Sequence, residues 1–171
     1  MEEQRLSRRA PVLMTPSNLI IVADRGSVKA YKVNDAAGRG PSLQLANAFD
    51  VMDAHGRYRD KVSDQAARFP VGDGGGAAGS GRHQNAVAER QGMEDETDRR
   101  IHRQIADSIS QVVQQEAAVG WSFAAPASIH AAIVGLLPAD VTGRIVEHVK
   151  ADLVNIKPAE LISHFRSLQP I

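Results

Sequence analysis

No cysteine occurs in the chain, which removes disulfides, thiolate metal sites and cysteine nucleophiles from consideration. Aromatic residues make up only 4%, so a core has to be assembled mainly from Ala, Val, Ile and Leu. Neither sign of charge prevails: 20 Lys and Arg stand against 20 Asp and Glu. A neutral chain lacks the broad positive field that sequence-independent nucleic-acid binding draws on, although a local basic patch is compatible with it. No apolar run approaches the roughly 20 residues needed to span a bilayer. The N-terminal Met1-Glu-Glu-Gln-Arg-Leu-Ser-Arg-Arg carries basic residues with no apolar segment of secretory type behind them. Glu2 and Glu3 argue against a transit peptide. Residues 1–17 are therefore expected to be a disordered leader, with Met14 as an alternative start, and the cytoplasm is the expected location.

What is present is 171 residues with 43% hydrophobic and 23% charged content, ordinary for a soluble globular domain and long enough for one core. Asn18–Asp24 is a short, nearly continuous apolar run rich in β-branched residues, as expected of a strand buried on both faces. Arg25-Gly26 provides a turn, and Ser27–Asn34 reads as a second strand paired back as a hairpin. After the polar turn Asp35–Pro41, Ser42–Asp50 carries Leu43, Leu45 and Phe49 at even spacing, which places them on one face of a third strand.

Between Gly56 and Gly92 periodicity disappears. Pro70 and most of the glycines fall here, and residues 56–92 are expected to form a Gly-rich mobile loop of the functional or disordered kind. Glu94–Val119 is the strongest helix signal, with Ile101, Ile105, Ile109, Val112 and Val113 on one side. Glu94, Asp95, Glu96 and Asp98 suit its positively polarised first turn, and Gly120 suits its C-terminal end. Trp121–Ala125 follows as a strand stopped by Pro126. A helix carries Ile129, Ile133, Leu136 and Leu137 before Pro138 breaks it. Ile145–Lys150 alternates as a strand, and Pro158 opens a last helix with Leu161, Ile162 and Phe165 facing inward. The expected fold is a single α/β domain over residues 18–167. Its sheet is mixed, with antiparallel strands in the first part and β-α units in the second, covered by helices of which one is long and central.

Polar chemistry concentrates at the end of the Gly72–Gln84 stretch. Arg82 can hold a phosphate or carboxylate with two parallel hydrogen bonds, and His83 can transfer a proton near neutral pH. Gln84 and the backbone amides of the Gly-rich run add donors. Lys61, Ser63, Asp64 and Arg68 join this candidate partner- or anion-binding set if the loop folds back. Gly74-x-Gly76-x-x-Gly79 has dinucleotide-site spacing, but Pro70 before it and Ser-Gly-Arg-His-Gln after it are the wrong context, so no cofactor is assigned. His130, His148 and His164 sit on separate elements without metal-ligand spacing, so no metal is assigned either. His55 reads as a turn residue and His102 as the edge of an apolar stripe. Asp24-Arg25 reads as a turn ion pair.

The order of these stretches is more specific than any one of them. Leu19-Ile-Ile-Val-Ala-Asp-Arg-Gly-Ser-Val-Lys-Ala-Tyr31 is followed by Lys61-Val-Ser-Asp64, Arg68 and a Gly-rich run ending Gly81-Arg-His83. Ala124-Ala-Pro126, Leu137-Pro-Ala-Asp140, Val149-Lys-Ala-Asp-Leu153 and Lys157-Pro-Ala-Glu-Leu161 come after the long helix. From about Asn18 to Phe165 the chain resembles the bacterial host-attachment protein family. That family is in turn similar to the middle domain of archaeal and eukaryotic translation release factors, whose Gly-Gly-Gln loop lies beside a long helix. Here the corresponding loop ends Gly81-Arg82-His83-Gln84, without that triplet. The first expectation is a non-enzymatic protein of this family acting through its Gly-rich loop on an unidentified protein partner. A ribosome or RNA partner is the alternative, and a hydrolase using His83 the second alternative.

Overall fold

In the computed structural model, the described residues are 17–36, 39–51, 54 and 80–169. Five strands form one mixed sheet in the order β3-β2-β1-β4-β5. They are β1 (Leu19–Ala23), β2 (Ser27–Ala36), β3 (Gly40–Asp50), β4 (Trp121–Ala124) and β5 (Ile145–Val149). The first three pair antiparallel, while β1–β4 and β4–β5 are parallel. This is the mixed α/β architecture that the pattern of elements implied.

The apolar run of β1 lies at the middle of this sheet, and all five of its residues are buried. Leu19, Ile21 and Ala23 face one layer, and Ile20 and Val22 the other. The first layer is helical: α1 (Ser80–Gln115) and α2 (Ala127–Leu136) cover Trp121 and Phe123 with Ile101, Ile105, Ile109, Val112, Ile129 and Ile133. Trp121 donates its indole N–H to the Val141 carbonyl at 3.0 Å, fastening the short helix α3 (Ala139–Thr142) to the sheet. The opposite layer is the C-terminal segment. There Leu153, Val154, Leu161, Phe165 and Leu168 pack on Ile20, Val22, Tyr31 and Ala124. Each such side chain, fully buried, contributes about 1.5–3 kcal/mol. Lys29 strengthens this layer by donating to the Val154 carbonyl at 2.9 Å. A chain of hydroxyls does the same: Ser122 Oγ donates to Ser17 at 3.0 Å and lies 3.2 Å from Ser167. Among the described residues no helix is long and apolar enough to cross a membrane.

Four details differ from expectation. The register between β2 and β3 shifts between Ala30 and Tyr31, so Ala46 is an extra residue. Such a bulge reverses which face the following side chains occupy. Phe49 therefore packs with the helical layer and Leu43 with the C-terminal layer, while Leu45 is 53% exposed.

The long helix begins at Ser80 rather than Glu94, so residues 80–92 are helical; residues 56–79 of the expected loop lie outside the described residues. Ala86, Ala88, Glu89, Arg90 and Gln91 are strong helix formers. Residues 87–96 are all exposed, and a helix without a buried face shows no apolar period. Glu94, Asp95, Glu96 and Asp98 consequently lie inside the helix, and its first turn holds no acidic residue.

The helix ends at Ala117, which takes a left-handed φ of 46°. Ala117 N–H bonds the Gln114 carbonyl and Ala118 N–H the Val113 carbonyl, both at 3.1 Å. That pair of bonds is a Schellman closure, so Gly120 is not the cap. Finally, the single last helix is instead α4 (Pro158–Leu161) followed by two 3₁₀ turns, Ile162–His164 and Arg166–Leu168. Phe165, extended at φ −112°, interrupts them.

Candidate functional site

Two regions of the structure gather polar side chains away from the core. The first is the N-terminal half of α1. A helix of 36 residues is about 54 Å long at 1.5 Å per residue. Its buried stripe starts only at Ile101, and residues 87–96 before it are all exposed. One clamp lies between the two. Arg25, in the β1–β2 turn, donates from Nε at 3.1 Å and Nη2 at 2.6 Å to the same Asp98 carboxylate oxygen. Asp24 is not the partner of Arg25. Its carboxylate accepts from the backbone N–H groups of Gly26 and Ser27, both at 2.7 Å, and so shapes the turn that presents Arg25.

The exposed half carries charges of both signs, among them Glu89, Arg90, Glu94, Asp95, Arg99 and Arg100. It also exposes two large apolar side chains, Val87 at 64% and Met93 at 52%. Arg82, His83 and Gln84 belong to the first five residues of this helix. Lys61, Ser63, Asp64 and Arg68 lie outside the described residues, as do His55 and the run Gly72–Gly79.

The second region is the outer edge of β5. His148 projects toward the helical layer, and its Nδ1 lies 3.4 Å from Nε2 of His130 on α2. His130 is buried and tilted against Phe123 with ring centroids 5.1 Å apart. Burial, and then the nearby His148 and Lys150, hold His130 below the ordinary imidazole pKa. On the other face of β5, Glu147 accepts backbone N–H bonds from Arg166 and Ser167, each at 2.9 Å. This draws the last 3₁₀ turn against the strand. Between them runs a cleft of about 630 Å³ whose walls include His148, Lys150, His164 and Arg166. Neighbouring histidines therefore meet here, yet among the described residues no group of three or more His, Cys, Asp or Glu is placed to hold a metal ion.

Residues 19–165 match the sequence profile of a family described as the protein required for attachment to host cells. The chain belongs to this family. The match starts at the first residue of the central strand and ends at Phe165, the aromatic that closes the C-terminal layer. It therefore takes in α1 and β5, while Arg166 and Ser167 of the second region lie just beyond it. No curated protein matches the chain.

The host-attachment fold brings together side chains that sequence spacing kept apart. His130 and His148 are separated by a helix end, α3 and a strand start, and only the parallel pairing of β4 with β5 aligns Phe123 and His148 side by side. The usable signal was the alternation of β5, which puts Glu147 and His148 on opposite faces. Nothing in the spacing of His164 and Arg166 announced that their segment would return to that strand.

Proposed function

We propose that this host-attachment family protein is a non-enzymatic binding protein of the cytoplasm. It engages a macromolecular partner through the exposed half of α1 and the Gly-rich segment before it. Arg82, His83 and Gln84 sit at the contact, joined by Lys61, Ser63, Asp64 and Arg68. The observation that supports this reading is the run 87–96, in which every residue is exposed on a helix whose other half buries a stripe from Ile101 to Val113. A helix that is polar all round contributes little to a core, and its free surface suits a role outside the fold. Mixed charge with two exposed apolar residues, Val87 and Met93, is suited to a protein or ribonucleoprotein surface rather than to a bare polyanion.

A ribosome or other RNA-containing partner is the second reading, taken from the expected similarity of the family to the release-factor middle domain, whose Gly-Gly-Gln triplet this chain lacks. Affinity capture from a bacterial lysate, run beside ribosome co-sedimentation, tests both. The proposal predicts a partner that is lost on Arg82→Ala with His83→Ala and on deletion of residues 72–79, with the fold intact by circular dichroism. Undiminished capture by both variants overturns it. Turnover of an ester or phosphodiester that vanishes in His83→Ala would replace it with the hydrolase reading.

A further inference from the structure

We propose that the cleft along β5 is a binding site for a small phosphate monoester of mononucleotide size, separate from the α1 surface. Four side chains able to carry positive charge, His148, Lys150, His164 and Arg166, line it. Among the described residues, none of these four takes part in an ion pair; the pairs observed involve Arg25, Lys32, Arg99 and Arg144. Among the described residues the cleft has one acid, Glu147, and both of its oxygens are engaged by the backbone N–H groups of Arg166 and Ser167. That carboxylate acts as a brace for the cleft wall instead of capping a cationic side chain. Two fixed cations against one carboxylate leave the cleft positive in a chain whose total charge is zero, and protonation of either imidazole adds to it. The depressed pKa of buried His130, caused in part by His148 and Lys150, agrees with a positive potential on that side.

The chemistry and size then narrow the ligand. A guanidinium and an ammonium with two imidazoles line the cleft around the edge of β5 and provide donors for phosphate oxygens. Val146 and Val149 give the cleft an apolar part for the remainder of the molecule. A volume of about 630 Å³ falls inside the range of roughly 300–1,000 Å³ common for small-molecule sites. The chain leading out of the cleft carries exposed acids, Asp152 after Lys150 and Glu160 before His164, which disfavour a polyanion running onward over the surface.

The test uses the full chain with AMP as probe, read by calorimetry and by the side-chain NMR signals of His148 and His164. AMP is expected to bind and to shift both imidazoles. Lys150→Met and Arg166→Ala should each weaken it about tenfold, the loss expected for one charge-assisted contact. Lys157→Met, outside the cleft, should leave binding unchanged. Absence of AMP binding at millimolar concentration overturns the proposal, as does equal binding by the Lys150→Met, Arg166→Ala double variant. A single-stranded RNA oligomer that binds more tightly than AMP and responds to the same variants overturns the small-ligand assignment. Because the α1 variants do not touch this cleft, failure here and failure of partner capture are separate results.

Discussion

Replacing Ala117 by glycine should stabilise the protein, against the sign for a glycine introduced inside a helix. Ala117 holds φ 46°, where a Cβ crowds the neighbouring carbonyl at a cost of about 1–2 kcal/mol. Glycine removes that cost but gives the unfolded chain more freedom, which takes back about 0.4–1 kcal/mol. The net expectation is a gain of about 0.5–1 kcal/mol. The two closing bonds, Ala117 N–H to Gln114 O and Ala118 N–H to Val113 O, involve only backbone and survive the substitution. Were Ala117 an ordinary helical residue, the same change would cost about 0.8–1 kcal/mol, so the two accounts differ in sign. Urea unfolding followed by circular dichroism reads the difference as a shift in midpoint at constant slope. A lower midpoint for Ala117→Gly refutes the left-handed closure and returns the end of the helix to Gly120. Ala117→Val, with a branched Cβ at the same φ, should move the midpoint down by more than 1 kcal/mol equivalent, on the order of the left-handed penalty.

Three further outcomes follow from named contacts. Glu147→Ala should destabilise by about 2 kcal/mol, because it frees the Arg166 and Ser167 amides from charge-assisted bonds; native-state hydrogen exchange at those two amides should rise, and unchanged protection would disprove the brace. His130 is pulled below its ordinary value of 6.5, so the unfolded chain binds that proton more readily than the folded one. Its contribution is therefore intact above pH 6.5 and lost as pH falls through the folded value; His130→Leu should flatten that part of the stability–pH curve, and an unaltered slope would contradict it. Arg25→Ala should cost less than about 1 kcal/mol, since the pair with Asp98 is half exposed; exchange should quicken over residues 87–98 and not over 101–115.

The parts of the fold readable in the sequence are those where burial repeats at a fixed period. β1 announced itself because both of its faces are covered, and the second half of α1 because Ile101, Ile105 and Ile109 fall on one side. Residues 87–96 of α1 were illegible for the reason that makes them interesting: all are exposed, so no period marks them. The acidic run Glu94–Asp98 resembled a helix start because charge complementarity at an N-terminus and solvation along an exposed helix select the same residues. The bulge at Ala46 left no mark either, since even spacing of Leu43, Leu45 and Phe49 assumes an unbroken register. Of the candidate site, Arg82, His83 and Gln84 stand out for their chemistry and lie within the first five residues of α1. The β5 cleft depends on a strand pairing and a returning C-terminal segment, which are tertiary facts with no local signature.

Photo-crosslinking from two positions of α1 in living cells tests the central claim most directly. A photoreactive side chain in place of Arg90, on the free half, should capture a partner, whereas one in place of Asp107, exposed on the packed half, should not. Equal capture from both positions, or capture from Asp107 alone, would contradict a partner surface on the free half of the helix.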